Sequence, residues 1–116
     1  MADAGRRLAL IVDLIDRTQR DLIGPDEAAY GSDPVLIDAT AFRVMHVGEN
    51  ASRLDASIKA RHDHLPWSDM VAMRNILAHD YARMNTLLVR RTAVEHFDQL
   101  RTACIAELAT MKNEGE

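Results

Sequence analysis

The chain has 116 residues, a formal net charge of −4, about half its residues hydrophobic and roughly a quarter charged. That length supports one domain, residues 1–116, with a single core and no need of disulfides or metal. An acidic balance excludes a protein that grips nucleic acid by bulk basicity, while leaving room for a local basic cleft.

Four helical segments are predicted in chain order. In the first, Leu8, Ile11, Val12, Ile15 and Leu22 recur at helical spacing, and Gly24-Pro25 stops the pattern. Its apolar run from Leu8 to Val12 is cut off by Asp13, too short for a signal-peptide core or a membrane span. Gly24 to Ser32 reads as a loop. Asp33 before Pro34 supplies a cap and a first turn for a second helix, expected to run to about Arg61. Along one side of it stand Ile37, Ala41, Val44, Val47, Ala51, Leu54 and Ile58.

The "HDHLPW" stretch breaks the pattern, and Pro66 opens a third helix, about Pro66 to Asp80. A fourth begins near Thr86 and carries Val94, Phe97, Leu100, Cys104, Leu108 and Met111. Nothing alternates with period two. The expected architecture is an all-α antiparallel bundle of four main helices with short connections. Cys104 is the only cysteine, so no internal disulfide forms, and a reducing, cytoplasmic location is expected, with no membrane partner.

The third helix raises the functional question. Trp67, Met70, Val71, Leu77, Ala78 and Tyr81 fall on one stripe of the wheel, with Arg74 in its middle. A guanidinium in an apolar stripe needs an anionic partner or a route to solvent. Taken alone, Arg74 reads as the member of a structural ion pair, and His79 as an ordinary histidine. Together they supply what phosphodiester chemistry needs: a fixed cation for phosphate and an imidazole that exchanges protons near neutral pH. On a straight helix the two lie about 140° apart around the axis and about 7.5 Å along it, so they do not converge. Either the helix ends near His79 or the site is a cleft between helices or subunits, and the spacing favours a helix end in a symmetric dimer.

"RNILAHDY" has the form R-x4-H-x-Y, with Arg74, His79 and Tyr81. Upstream, "VGEN" (Val47 to Asn50) and "LPWSDMVAMRN" (Leu65 to Asn75) stand in order and at suitable spacing. These three segments resemble the HepT-like toxins of the HEPN superfamily, firmly over about Leu36 to Leu108. Val47 and Asn50 depart mildly from the pattern of the second segment, which puts any role of Asn50 in doubt. The resemblance implies an all-helical homodimer acting on RNA as a metal-independent endoribonuclease with no cofactor. It further implies an antitoxin partner, an MntA-like nucleotidyltransferase, which joins the toxin in a larger hetero-oligomer and inactivates it by transferring AMP to the motif tyrosine. Carried over, Arg74 and His79 form the catalytic pair, Tyr81 is the AMPylated residue, and Asn75 orients the site. Glu49, in the second helix, is a further candidate for the same cleft.

Weaker signals are His62 and His64, a lone His-x-His pair that makes a poor metal site by itself, and Arg90 and Arg91, a charge pair that could guide RNA or form a solvated face. Gly48 inside a helix either permits close helix approach or is simply tolerated, at about 1 kcal/mol relative to Ala. Rival readings are a non-catalytic bundle that binds RNA, nucleotide or a protein partner, and a structural dimerisation domain in which Arg74 is only ion-paired.

Overall fold

The computed structural model describes residues 2–22 and 26–115, and no strand occurs among them. Helix α1 (Ala2–Asp21) buries Leu8, Ile11, Leu14 and Ile15, with Leu22 just beyond its end. Val12 is only partly buried against this core, and Thr18 takes an inner position with its hydroxyl satisfied by the Leu14 carbonyl at 2.7 Å. Gly24-Pro25, on which the expected stop rests, lies outside the described residues.

The expected loop before Ser32 contains a short helix, α2 (Glu27–Gly31). Asp26 caps it by accepting from the Ala29 N–H at 2.8 Å. Tyr30 is buried, donates its hydroxyl to the Thr86 carbonyl at 3.0 Å and lies under the Arg90 guanidinium. Five residues are too few to show a helical period, and the helix depends on this tertiary anchor.

Helix α3 (Pro34–Ser52) starts as its sequence predicts, with Asp33 accepting from the Val35 and Leu36 amides and Pro34 in the first turn. It does not continue to Arg61. The chain breaks after Ser52 and resumes as α4 (Ala56–Arg61). At the break the Ser52 hydroxyl donates to the Glu49 carbonyl, and the Arg53 and Leu54 amides turn back to Asn50 and Ala51. The Lys59 ammonium then donates to the Ser52 carbonyl at 2.7 Å. Polar groups end this helix, and the apolar pattern is blind to them because Leu54 and Ile58 are buried on either account.

Helix α5 (Trp67–His79) is followed by a 3-10 turn, Tyr81–Arg83. The last helical stretch comprises α6 (Thr86–Arg91), a π turn (Thr92–His96) and α7 (Phe97–Gly115), in place of one uniform helix. The wider turn rotates the side chains, so Val89, Ala93 and Phe97 are buried while Val94, expected inside, is exposed. The core gathers α1, α3, α5 and α7 around Ile11, Ile15, Val44, Val47, Leu77, Phe97 and Leu100. Cys104 belongs to it, and burial pushes its thiol up to about 12, away from reactivity.

One ion cluster ties α4 to α7. Glu107, nearly buried, accepts from Arg61 Nη2 at 2.6 Å and Nε at 3.0 Å, and meets His62 Nε2 at 2.8 Å. The His-x-His pair is therefore spent in part on this clamp. The Arg61 hydrogen bonds outweigh burial and hold the Glu107 carboxyl down at about 2. A carboxyl lowered in the folded state stabilises it above the unfolded value, about 4.3 for Glu, and loses that contribution as pH falls toward the folded value. Glu107→Gln is expected to cost about 1–3 kcal/mol near neutral pH. Denaturation of both forms across acid pH should show the difference shrinking below about pH 4.5.

Helix α3 packs tightly against α5 at Gly48. A Cβ there would stand 3.0 Å from Arg74 Cβ and 3.2 Å from the Met70 carbonyl oxygen. Neither is the far end of a flexible side chain, so the glycine serves close approach. Alanine would gain about 1 kcal/mol of helix propensity, but overpacking costs about 1–3 kcal/mol. Gly48→Ala is expected to lower the urea midpoint, and a higher midpoint would disprove the close-packing account.

Candidate functional site on α3 and the end of α5

Two contacts fix the register of α3 against α5. Arg74 Nε lies 2.6 Å from Glu49 Oε2, and beyond the end of α5 the Tyr81 hydroxyl donates to Asp38 Oδ1 at 2.5 Å. The later residue of one strand of contacts meets the earlier residue of the other, so the helices run antiparallel. Asp38, Phe42, Met45 and Glu49 recur at spacings of four, three and four, which keeps them on one side of α3.

Glu49 is shared between two cations. It meets Arg74 across the helix gap and Arg53 one turn along its own helix, at 2.7 Å. Burial raises its carboxyl, but the Arg53 hydrogen bond and the charge of Arg74 outweigh that and leave it below the usual carboxylate range. Arg74 is three-quarters buried, with 27% of its side chain exposed, and its Nη1 donates to Asn75 Oδ1 at 2.9 Å. Glu49, Arg74 and Asn75, three residues singled out in the sequence, form one connected group. Asn50 stands apart from it: it is buried, accepts from Arg7 and donates to the His46 carbonyl.

Helix α5 ends at His79, whose side chain is exposed. Asp80 donates its amide to the Ile76 carbonyl at 2.8 Å and leaves helical geometry, with φ −147°. The expected apolar stripe stops at Leu77: Met70 and Leu77 pack inward, whereas Ala78 and Tyr81 are exposed. Tyr81 therefore does not simply continue the Arg74 stripe. Both face α3, but their partners Asp38 and Glu49 are eleven residues apart, about 16 Å along the helix. Its hydroxyl is pushed up to about 12, first by the hydrogen bond to Asp38 and then by burial. The phenol is therefore held protonated, its O–H donated to Asp38, with 43% of the residue exposed.

Asp38 and Phe42 were missed in the sequence, because their importance depends on the register of two helices; the i, i+11 spacing of Asp38 and Glu49 is the only trace of it. Of the weaker candidates, Arg90 turns inward over Tyr30 and toward Glu27, away from this face. Arg91 is exposed.

A family model described as Ribonuclease HepT-like matches residues 11–106. A protein of Caldanaerobacter subterraneus subsp. tengcongensis, named as a putative RNase, is 28% identical over 71 residues, which is 61% of this chain and 63% of that protein. The chain thus spans less than two thirds of the length of that relative. No solved structure gives a significant match. With the family model covering both helices of the site and most of the bundle, the chain belongs to the HepT-like ribonuclease family.

Proposed function

We propose that the protein is a metal-independent endoribonuclease that acts as the toxin of a two-gene toxin–antitoxin module, with Arg74 and His79 as its catalytic pair and Tyr81 as the point of its control. The observation that carries the reading is the disposition of Arg74 and His79, in a chain of ribonuclease family: a cation held by Glu49 and Asn75, and an imidazole standing free at the helix end. The 2′-hydroxyl of RNA attacks the adjacent phosphorus, losing its proton, and the 5′-oxygen leaves and gains one. The products are a cyclic phosphate and a 5′-hydroxyl. Arg74 stabilises the charge that grows on the phosphorane, and His79 transfers a proton at one of the two oxygens. Glu49 and Asn75 position the guanidinium and do not enter the reaction.

Homodimerisation is part of the proposal. Ile76 and Leu88 are exposed beside a crevice of about 300 Å³ that Pro66, Met70, Met73 and His96 also line. This apolar surface, which reaches Ile76 three residues before His79, is the face that a second copy would cover. The rival structural reading draws on the Glu49–Arg74 ion pair, which would exist equally in an inert bundle, and cleavage separates the two. His79→Ala should lower the rate of RNA cleavage by about 10²–10⁴-fold while the far-ultraviolet circular dichroism stays that of the wild type. Cleavage should survive EDTA and leave cyclic-phosphate ends. Equal cleavage by wild type and His79→Ala would reject the assignment.

Control would act through Tyr81, modified by a nucleotidyltransferase antitoxin. The phenol oxygen attacks the α-phosphorus of ATP, pyrophosphate leaves, and the proton passes to a carboxylate. The hydrogen bond to Asp38 supports this, since an acceptor is already in contact with the reacting oxygen. The AMP would extend along α3 toward Arg74, blocking the approach of RNA by bulk and charge, not by seating its phosphate on that guanidinium directly. Co-expression with a cognate transferase should add one or more AMP masses to the peptide holding Tyr81. Tyr81→Phe should stay toxic and escape neutralisation. Silencing of the Phe variant by an unmodifying partner would show plain binding instead.

A further inference from the structure

Phe42 leaves 56% of its surface in solvent, in the middle of the face that carries Asp38 and Glu49. Large apolar side chains exposed singly are common, so exposure alone means little. Its surroundings are specific. The antiparallel register puts it between the two contacts that define the site, about 6 Å along the axis from Asp38 and about 10 Å from Glu49. Across the gap, the residue at that level of α5 is near Ala78, small and exposed, so the ring is not covered from that side.

The ring is also backed. His46, one turn on, is half-buried, and its imidazole centroid lies 4.4 Å from that of Phe42 at an interplanar angle of 49°. A neighbouring ring limits the rotamers of Phe42 and pre-organises its outer face. Two flat π surfaces side by side, one of them more than half exposed, lie on the helix face whose Glu49 holds a cation suited to phosphate. That combination matches the way proteins hold unpaired nucleotides, by charge on the backbone and stacking on the base.

We infer that Phe42, backed by His46, is a stacking platform for an unpaired base of single-stranded RNA, next to the nucleotide whose phosphate meets Arg74. This rests on the ribonuclease reading and adds to it a substrate class, since a base locked in a duplex cannot reach the ring. The alternative occupant is a second copy of the chain, because Val35 is exposed seven residues before Phe42 on the same side of α3. A helix seam there would have to bury Asp38 between the two apolar residues, with the Tyr81 hydroxyl as its one side-chain donor among the described residues. Stacking demands no such burial, and the RNA reading is the one the face favours.

The test uses the full chain with oligoadenylate and with cellular tRNA, measuring binding in the His79→Ala background and cleavage in the His79 background. Phe42→Ala should weaken binding and raise KM by roughly one to two orders of magnitude, the scale of one base–aromatic stack, with kcat much less affected. Phe42→Trp should bind as well as wild type, and its fluorescence should be quenched by RNA. Oligoadenylate with abasic nucleotides should bind wild type more weakly than the intact strand, and Phe42→Ala should erase that preference. Sedimentation of the same variants reports the oligomer. If Phe42→Ala binds and cleaves like wild type, or keeps the preference for intact bases, the platform is wrong while the ribonuclease reading stands. A loss of binding that follows dissociation of a dimer would also overturn it, in favour of a protein contact. If the wild type neither binds nor cleaves either RNA, both readings fail together.

Discussion

The approach of α3 to α5 at Gly48 is the constraint on which the candidate site hangs. With no side chain between them, the two backbones come close enough for Arg74 Cβ to sit against the glycine and for its guanidinium to reach Glu49 on the next residue. Contact and charge pair reinforce each other. About three-quarters of the Arg74 side chain is withdrawn from water, so the cation gains from a fixed anion, and Glu49 is the anion that the glycine brings within reach. Arg53 takes up the other side of the same carboxylate, which leaves Arg74 held by a partner that already has a second cation. An arginine held in that way remains available to a phosphate, because losing part of its bond to Glu49 does not leave that carboxylate unpaired.

The polar density near the end of α5 follows from where the helix stops. Upstream of Leu77 the helix is tied into the core by Trp67, Met70, Met73 and Leu77. Past that point it projects beyond the packed layer, and His79, Asp80 and Tyr81 are exposed. A helix terminus leaves carbonyls unpaired, and a histidine there is electrostatically suited to them when protonated. The same lack of packing leaves the imidazole free to turn, so Arg74 and His79 need not converge on a rigid wheel.

How much of this was legible in the sequence depended on range. Asp33-Pro34 announced the start of α3 because a cap and a first turn are local chemistry, and the bundle class followed from apolar spacing within each helix. The break at Ser52 was not legible, since it is made by a hydroxyl, two amides and a lysine seven residues away. The π turn escaped for a related reason: Val94 fits an ideal helical period, and only the packing of Ala93 and Phe97 on α1 and α3 rotates it outward. At the site, Arg74, Asn75, His79 and Tyr81 could be found because they lie in one short motif. Asp38 and Phe42 lie more than thirty residues upstream of their counterparts, and only the register set at Gly48 joins them.

That register also puts the proposed catalytic cation and the proposed point of modification along one line. Asp38, Phe42 and Glu49 lie along one side of α3, facing in turn Tyr81, the open stretch near Ala78, and Arg74. A phosphodiester formed at the Tyr81 oxygen removes the proton that the phenol donates to Asp38 and sets a phosphate beside that carboxylate. The hydrogen bond is lost and two like charges are opposed. Such repulsion drives the added group away from Asp38, and along this face Arg74 and Arg53 offer the opposite charge. On the proposed reading, then, the modification would swing toward the cleft it has to block, and a static helix pair suffices for the control without a second conformation of the bundle.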